Sequence, residues 1–165
     1  MRTFSSVPAL PELAHELAVL QSATRVLTGV ALRSLEALEG AVTLPQFRLL
    51  AVLADLGRVR SAQVARALGL EASTVTRLAD RLVAAGHVAR GAEPGHRSVV
   101  TLELTATGQQ LVDRVEAWRH AEFARIVRQL PAGHQDQVTA SLRLLIEAAG
   151  AGYGTVPAAL VPVRL

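Results

Sequence analysis

Ser73, Thr74, Thr76 and Arg77 place three short hydroxyl side chains and one guanidinium within five positions, at the opening of a helical pattern. Small hydroxyls donate and accept hydrogen bonds without holding a helix away from the surface it meets. A guanidinium presents a rigid fork of donors that matches phosphate oxygens, or O6 and N7 of guanine. The first turn of any helix also carries unsatisfied backbone N–H groups that favour anions. Ser61, at the start of the preceding helical pattern, and Arg81, one turn beyond Arg77, extend the set. His96 and Arg97 add a second cationic point in a stretch rich in Gly and Pro. The target these groups suit is a double-stranded polyanion. A major groove about 12 Å wide admits one α-helix, and a cation on a neighbouring loop suits the negative potential of a narrow minor groove. Arg58, Arg60 and Arg66 are candidates for flanking phosphate contacts. Any one of these hydroxyls, taken alone, is equally a cap or a solvated surface residue.

The charge distribution agrees with that target. All 17 basic residues are Arg, against 14 acids. Between Leu44 and Thr105 stand eight Arg and five acids, and outside that span nine Arg face nine acids. The whole surplus of three therefore sits where phosphate attraction would need it. The absence of Lys, with Ala and Val abundant, reads first as high-GC codon bias.

Other chemistries fare worse. With no cysteine, disulfides, thiol nucleophiles and thiolate metal ligands are excluded. His15-Glu16 lacks the second His of a zinc-protease motif, and Glu12 with His15 makes one Glu-x-x-His where a di-iron bundle needs two. Glu116 and His120, four apart, suit a solvated salt bridge better than a metal site. Gly150 to Gly154 is Gly-rich but follows a helix, not a strand, so it lacks the context of a nucleotide loop. The chain is expected not to be an enzyme and to need no cofactor and no metal. No apolar run reaches the ~18 residues of a membrane span, and the first residues lack the apolar core of a secretory signal. A soluble, cytoplasmic protein is expected.

The elements that must position these residues follow from periodicity. At 165 residues the chain is one domain, with a core of Leu, Val and Ala because only five residues are aromatic. Residues 1–11, with Pro8 and Pro11, read as an extended arm. Leu13, Leu17, Leu20, Ala23, Leu27, Val30, Leu35 and Leu38 mark a long amphipathic helix from Glu12 to about Leu38. Its stripe is too long for a small head to cover, so a second subunit is its natural partner. Thr43-Leu44-Pro45-Gln46 is a capping box that opens a helix ended by Gly57. Arg58-Val59-Arg60 suits a one-bridge strand, and Ser61 is expected to cap a short helix. From Ala72 to Ala85, Val75, Leu78, Ala79, Leu82 and Val83 form one core stripe closed by Gly86. His87–Arg90 and Ser98–Leu104 read as two antiparallel strands, with a Gly91–Arg97 loop between them. Thr105 caps a helix running to Leu130, Pro131-Ala132-Gly133 breaks it, and a last helix covers His134 to Ala149. The tail from Gly150 is expected to be irregular. The fold class is mainly α with a small antiparallel β wing: a winged helix-turn-helix with long flanking helices.

From Leu44 to Gly108 the chain resembles the MarR (multiple antibiotic resistance regulator) family. The residues that carry the resemblance are Leu44-Pro45-Gln46-Phe47-Arg48-Leu49-Leu50, Ser73-Thr74-Val75-Thr76-Arg77-Leu78 and Asp80-Arg81-Leu82. Gly86, Arg90 and Leu104-Thr105-Ala106-Thr107-Gly108 complete the ordered set. The resemblance implies a homodimer formed through residues 1–40 and 106–150, around a DNA-reading head at 41–105, with 151–165 an irregular tail. It also implies a pseudo-palindromic operator with half-sites about one turn apart, ~34 Å, and a sequence-specific regulator, expected to be a repressor. A small-molecule effector pocket between head and pairing helices is implied too, for which His15, Arg25, Arg48, Trp118 and His120 are the candidates. One departure stands out: the family's wing tip carries an Asp, and this chain has Gly95-His96-Arg97-Ser98 instead. The resemblance therefore does not say what holds this wing. The competing reading is a winged-helix protein that has lost DNA reading and binds a protein partner. Steep loss of duplex affinity with rising salt would separate the two.

Overall fold

The computed structural model describes residues 13–93 and 95–149, without the side chain of Arg97. The N-terminal arm and the tail from Gly150 lie outside the described residues. Six helices and three strands follow in the order α1 (Ala14–Glu36), α2 (Leu44–Leu56), β1 (Val59–Arg60), α3 (Ser61–Leu68), α4 (Ala72–Ala84), β2 (Val88–Glu93), β3 (His96–Leu104), α5 (Ala106–Val127) and α6 (His134–Ala149). This is the mainly helical architecture with a small antiparallel sheet that the periodicity predicts.

The core forms around α2. Phe47, Leu49, Leu50, Ala51, Val52 and Leu53 are all buried, so this helix is covered on almost every side. Its start is fixed locally: the Thr43 backbone N–H donates to Gln46 Oε1 at 2.8 Å, and Pro45 sits in the first turn. Gly57 ends it with φ 68°. Against α2 pack Val64, Ala65 and Leu68 of α3, Val75, Ala79 and Leu82 of α4, and Leu111, Val112 and Val115 of α5. Each is a 3–4-residue repeat that turns one face inward.

Several boundaries differ from the sequence expectation. Arg60, not Ser61, occupies the cap of α3, with its N–H bonded to Gln63 Oε1 at 3.1 Å. The Gln three residues on reciprocates whichever residue precedes the first turn, so a non-hydroxyl cap suffices. Val83 is exposed although it falls on the α4 stripe; the stripe narrows toward the helix end, where the sheet takes over. Helix α5 stops at Val127, three residues before the expected Leu130.

The largest difference is the wing. The segment read as a loop is mostly strand: β2 runs to Glu93 and β3 starts at His96. The sheet order is β1-β3-β2, antiparallel throughout. Val59 and Arg60 pair with Leu102 and Thr101, while Val88 pairs with Leu104 and Gly91 with Thr101. The register shifts between Ala92 and Glu93, after which Glu93 faces His96.

Thr105 joins the wing to α5. Its hydroxyl accepts from the Gly108 N–H at 3.1 Å and donates to the Gly86 carbonyl at 2.7 Å. The Thr105 N–H itself reaches the His87 carbonyl at 3.1 Å. A Cβ on Gly108 would overlap that same carbonyl oxygen. The ends of α4, β2 and α5 are thus locked in one knot.

Helices α1 and α6 are covered differently from the rest. Val30, Ser34 and Leu35 are the buried residues of α1, whereas Leu17, Leu20 and Leu27 are exposed. No residue of α6 is buried. No helix among the described residues is long and apolar enough to cross a membrane.

Candidate nucleic-acid interface

Helix α4 sorts its residues by angle, about 100° for each residue. Val75, Ala79 and Leu82 point into the core. Opposite them Ser73 and Arg77 face solvent, with Asp80 beside them. Thr76 is exposed on the flank toward the wing, and Thr74 and Arg81 lie on the flank toward α2. The predicted hydroxyl and Arg residues of this helix are therefore brought together on one outward surface. The Thr76 hydroxyl donates to the Ala72 carbonyl at 3.0 Å, and Arg77 Nη2 lies 3.4 Å from Thr74 Oγ1. The second distance exceeds that of a strong hydrogen bond, so the Arg77 guanidinium is not committed to it. Arg81 has no ion pair among the described residues. Asp80 and Glu93 pair instead with Arg90 and Arg60.

Those partners brace the wing. Arg90 Nη2 of β2 meets Asp80 Oδ1 of α4 at 2.6 Å. Arg60 of β1 donates to Glu93 Oε1 through Nε at 3.1 Å and Nη2 at 2.6 Å. This bond, and secondarily the opposite charge, holds the Glu93 carboxyl below the ordinary carboxylate range, and His96 adds a weaker pull in the same direction. Arg58 crosses the sheet beneath, donating from Nε to Thr101 Oγ1 at 3.3 Å and from Nη2 to the Ala92 carbonyl at 3.0 Å. Gly91 leaves room for it: a Cβ there would come 2.8 Å from Arg58 Nη2. Arg58 and Arg60, expected as phosphate contacts, are instead spent on holding β2 to the rest of the sheet. Arg66 remains exposed on α3. Ser61 is half-buried at the first position of α3.

At the tip, His96 is exposed opposite Glu93. The backbone of Arg97 lies in β3, one residue beyond it, and its side chain is outside what is described. Sequence reasoning singled out Arg60 and Arg90 but not that they pair with Glu93 and Asp80. The signal was available only in part, because the partners are 33 residues apart for Arg60–Glu93 and the pairing needs the sheet register.

The five effector candidates separate. His15 and Arg25 are exposed on α1, where Arg25 Nη2 bonds to Ser22 Oγ at 2.9 Å. Trp118 is half-buried and His120 exposed on α5. Arg48 lies elsewhere, in a groove of about 350 Å³ between α2 and α4 that it shares with Thr74, Arg77 and Arg81. Arg119 escaped the sequence reading. It is 2% exposed, its Nε donates to Ser34 Oγ at 2.9 Å, and its guanidinium stands 5.1 Å from the centroid of the Phe47 ring. A charge at the position where Leu111, Val112 and Val115 continue the core stripe was the available clue. No group of three or more His, Cys, Asp or Glu that could hold a metal is found among the described residues.

Comparison with known proteins agrees with this geometry. The model of the MarR family matches residues 42–97. No curated protein sequence matches the chain. Among solved structures, RV1404 from Mycobacterium tuberculosis is 29% identical, with a TM-score of 0.78 over 88% of this chain and 98% of its own. YusO from Bacillus subtilis is 27% identical, with a TM-score of 0.71 over 86% and 99%. A variant of MepR from S. aureus, bound to an oligodeoxyribonucleotide, shares the fold at 20% identity and a TM-score of 0.65, over 81% and 97%. Residues 42–97 thus match the MarR family model, and the fold of these structures extends through the flanking helices, so the chain is similar to winged-helix proteins of the MarR family.

Proposed function

We propose that the protein is a homodimeric, sequence-specific DNA-binding repressor whose grip on its operator is set by a small molecule. The observation that carries this is the outward surface of α4. Ser73, Thr76 and Arg77 stand exposed there, with no acid among the described residues pairing the guanidinium, on a helix whose opposite side is anchored in the core. Such a helix enters a major groove with its N-terminal residues against base edges. Arg77 reads a guanine through its fork, and Ser73, Thr74 and Thr76 with Ser61 hold nearby phosphates. His96 and Arg97 carry the wing toward the minor groove. The related fold of an oligonucleotide-bound MepR variant supports the same placement.

Pairing through residues 1–40 and 106–150 sets two heads about one DNA turn apart, ~34 Å, on a pseudo-palindromic site in the cytoplasm. An effector lodged near His15, Arg25, Trp118 and His120 would release DNA if it favours a head spacing that the operator does not fit. Footprinting on the DNA that flanks the protein's own coding region, with affinity followed against salt, tests the reading. A protected pseudo-palindrome whose affinity falls steeply with salt is expected. Arg77→Ala should cost ~1–3 kcal/mol per half-site and relax base preference. A wild-type protein with no duplex affinity at any salt concentration would remove the DNA reading altogether.

A further inference from the structure

The groove between α2 and α4 gathers three guanidiniums and no acid. Arg48 enters from α2, Arg77 and Arg81 from α4, with Thr74 between them and Leu70 and Leu78 forming an apolar floor. Three like charges facing one cleft repel one another unless an anion sits among them. Among the described residues none of the three is tied up by an acid. Arg81 has no ion pair among the described residues, Arg77 has only the 3.4 Å approach to Thr74, and Arg48 has only a 3.5 Å approach to the Leu68 carbonyl. Both distances lie beyond the usual hydrogen-bond range. The groove, at about 350 Å³, is open and roomy enough for a phosphate and part of its sugar.

Its position says which anion. On α4 the outermost residues are Ser73 and Arg77, and the groove lies along the flank next to α2, at Thr74, Leu78 and Arg81. When a helix lies in a major groove its outer edge meets bases and its flanks meet the phosphates of the two strands. The opposite flank is taken by the wing, through Asp80 and Arg90. The flank next to α2 therefore faces the other strand's backbone.

We infer that the α2–α4 groove is a phosphate seat for one strand of the operator, with Arg48 and Arg81 as its backbone-contacting cations. Arg48 is thereby moved from the effector candidates to the DNA surface. This rests on the DNA-reading function proposed above, and adds to it a contact from a helix outside the helix-turn-helix. Arg77 bridges the two roles, reaching bases with its fork while its stem borders the seat.

The test is the salt dependence of duplex binding by the full-length protein, measured by fluorescence anisotropy. Arg48→Gln keeps a polar side chain on α2 and removes the charge. It should lower the slope of log affinity against log salt by about one for each half-site. The loss should be nearly equal on operator and on unrelated duplex, with base preference intact, since a phosphate carries no sequence. Arg48→Lys should restore most of the slope, because a point charge also holds a phosphate. Thermal unfolding is run on both variants, and a slope that drops without a drop in melting temperature marks a contact and not a packing defect. An unchanged slope in Arg48→Gln, or no recovery in Arg48→Lys, overturns the seat while leaving the DNA function standing. Absence of duplex binding by the wild type would instead overturn the function itself.

Discussion

At the scale of single residues, two positions expose how tightly chemistry and packing are linked. Gly108 is required by contact, not by backbone torsion. It lets the first turn of α5 sit on the His87 carbonyl, which also accepts from the Thr105 N–H. Gly108→Ala gains helix propensity of about 1 kcal/mol, but forces a backbone shift that costs ~1–3 kcal/mol in a packed region. Since the obstacle is a carbonyl and not a flexible side-chain end, the clash is expected to win and the melting temperature to fall. A variant that melts at or above the wild-type temperature would show the knot to be looser than drawn. Glu116 on α5 offers a pH-dependent case. Partial burial, then Asp113, raise its pKa, with a smaller push from Asp55, while His120 and, less, Arg119 oppose them. A carboxyl whose folded value lies above its ordinary one favours the fold most at low pH, and that contribution is lost as pH rises through the folded value. Glu116→Gln should therefore raise the melting temperature at pH 7.5 relative to wild type, with the gain vanishing below about pH 4, where the native Glu is protonated in both states. A gain that persists unchanged at acid pH would assign it to packing instead.

At the scale of elements, the helices were legible in the sequence and the wing was not. Periodicity alone marks Val75, Ala79 and Leu82 as one face of α4, and the Thr43–Gln46 cap can be read directly from four residues. The Gly91–Arg97 stretch misleads because Gly91 and Gly95 signal a loop locally. Gly91 is in fact a strand residue that makes way for Arg58, a side chain 33 positions earlier. Nothing nearby in the chain announces that. The departure from the family's wing tip is answered here as well: in place of an Asp at the tip, Glu93 accepts from Arg60 and Asp80 accepts from Arg90. The Asp80–Arg90 pair and the Arg60 end of the other lie open to solvent, so each adds little to global stability. Their effect should be local. Glu93→Arg is expected to speed amide exchange in β2 and the adjoining part of β3 while leaving the melting temperature nearly unchanged. The double variant Arg60→Glu with Glu93→Arg should restore protection, since the pair is re-formed with its ends exchanged. Equal protection in the single variant and wild type would mean that Arg58 and the ladder hold the wing without this pair. The Arg60–Glu93 link should also weaken in acid. Glu93 titrates below its ordinary range, so the link is intact above that range and lost as pH falls through the lowered value.

At the scale of the whole molecule, the head is complete and the flanking helices are not. Helix α6 has no buried residue, although Val138, Leu142, Leu145 and Ile146 recur on one side of it. An isolated helix of its length is marginal in water, so its order needs a surface to pack on. Leu17, Leu20 and Leu27 of α1 show the same unpaired stripe, and monomeric soluble proteins rarely expose contiguous apolar patches of this kind. The two stripes lie in the segments that the proposed dimer brings together. Two heads on one frame bind a two-part operator far more tightly than either head alone, because the second contact becomes intramolecular. Replacing Leu142 and Ile146 together by Glu places charge in that frame without touching α2, α3, α4 or the wing. Sedimentation velocity at micromolar concentration should then show a monomer where the wild type is a dimer. Affinity for the full operator should fall by orders of magnitude, toward that for an isolated half-site, which itself should change little. A wild type that sediments as a monomer, or a variant that remains a dimer with full operator affinity, would show that the pairing surface lies elsewhere on the molecule.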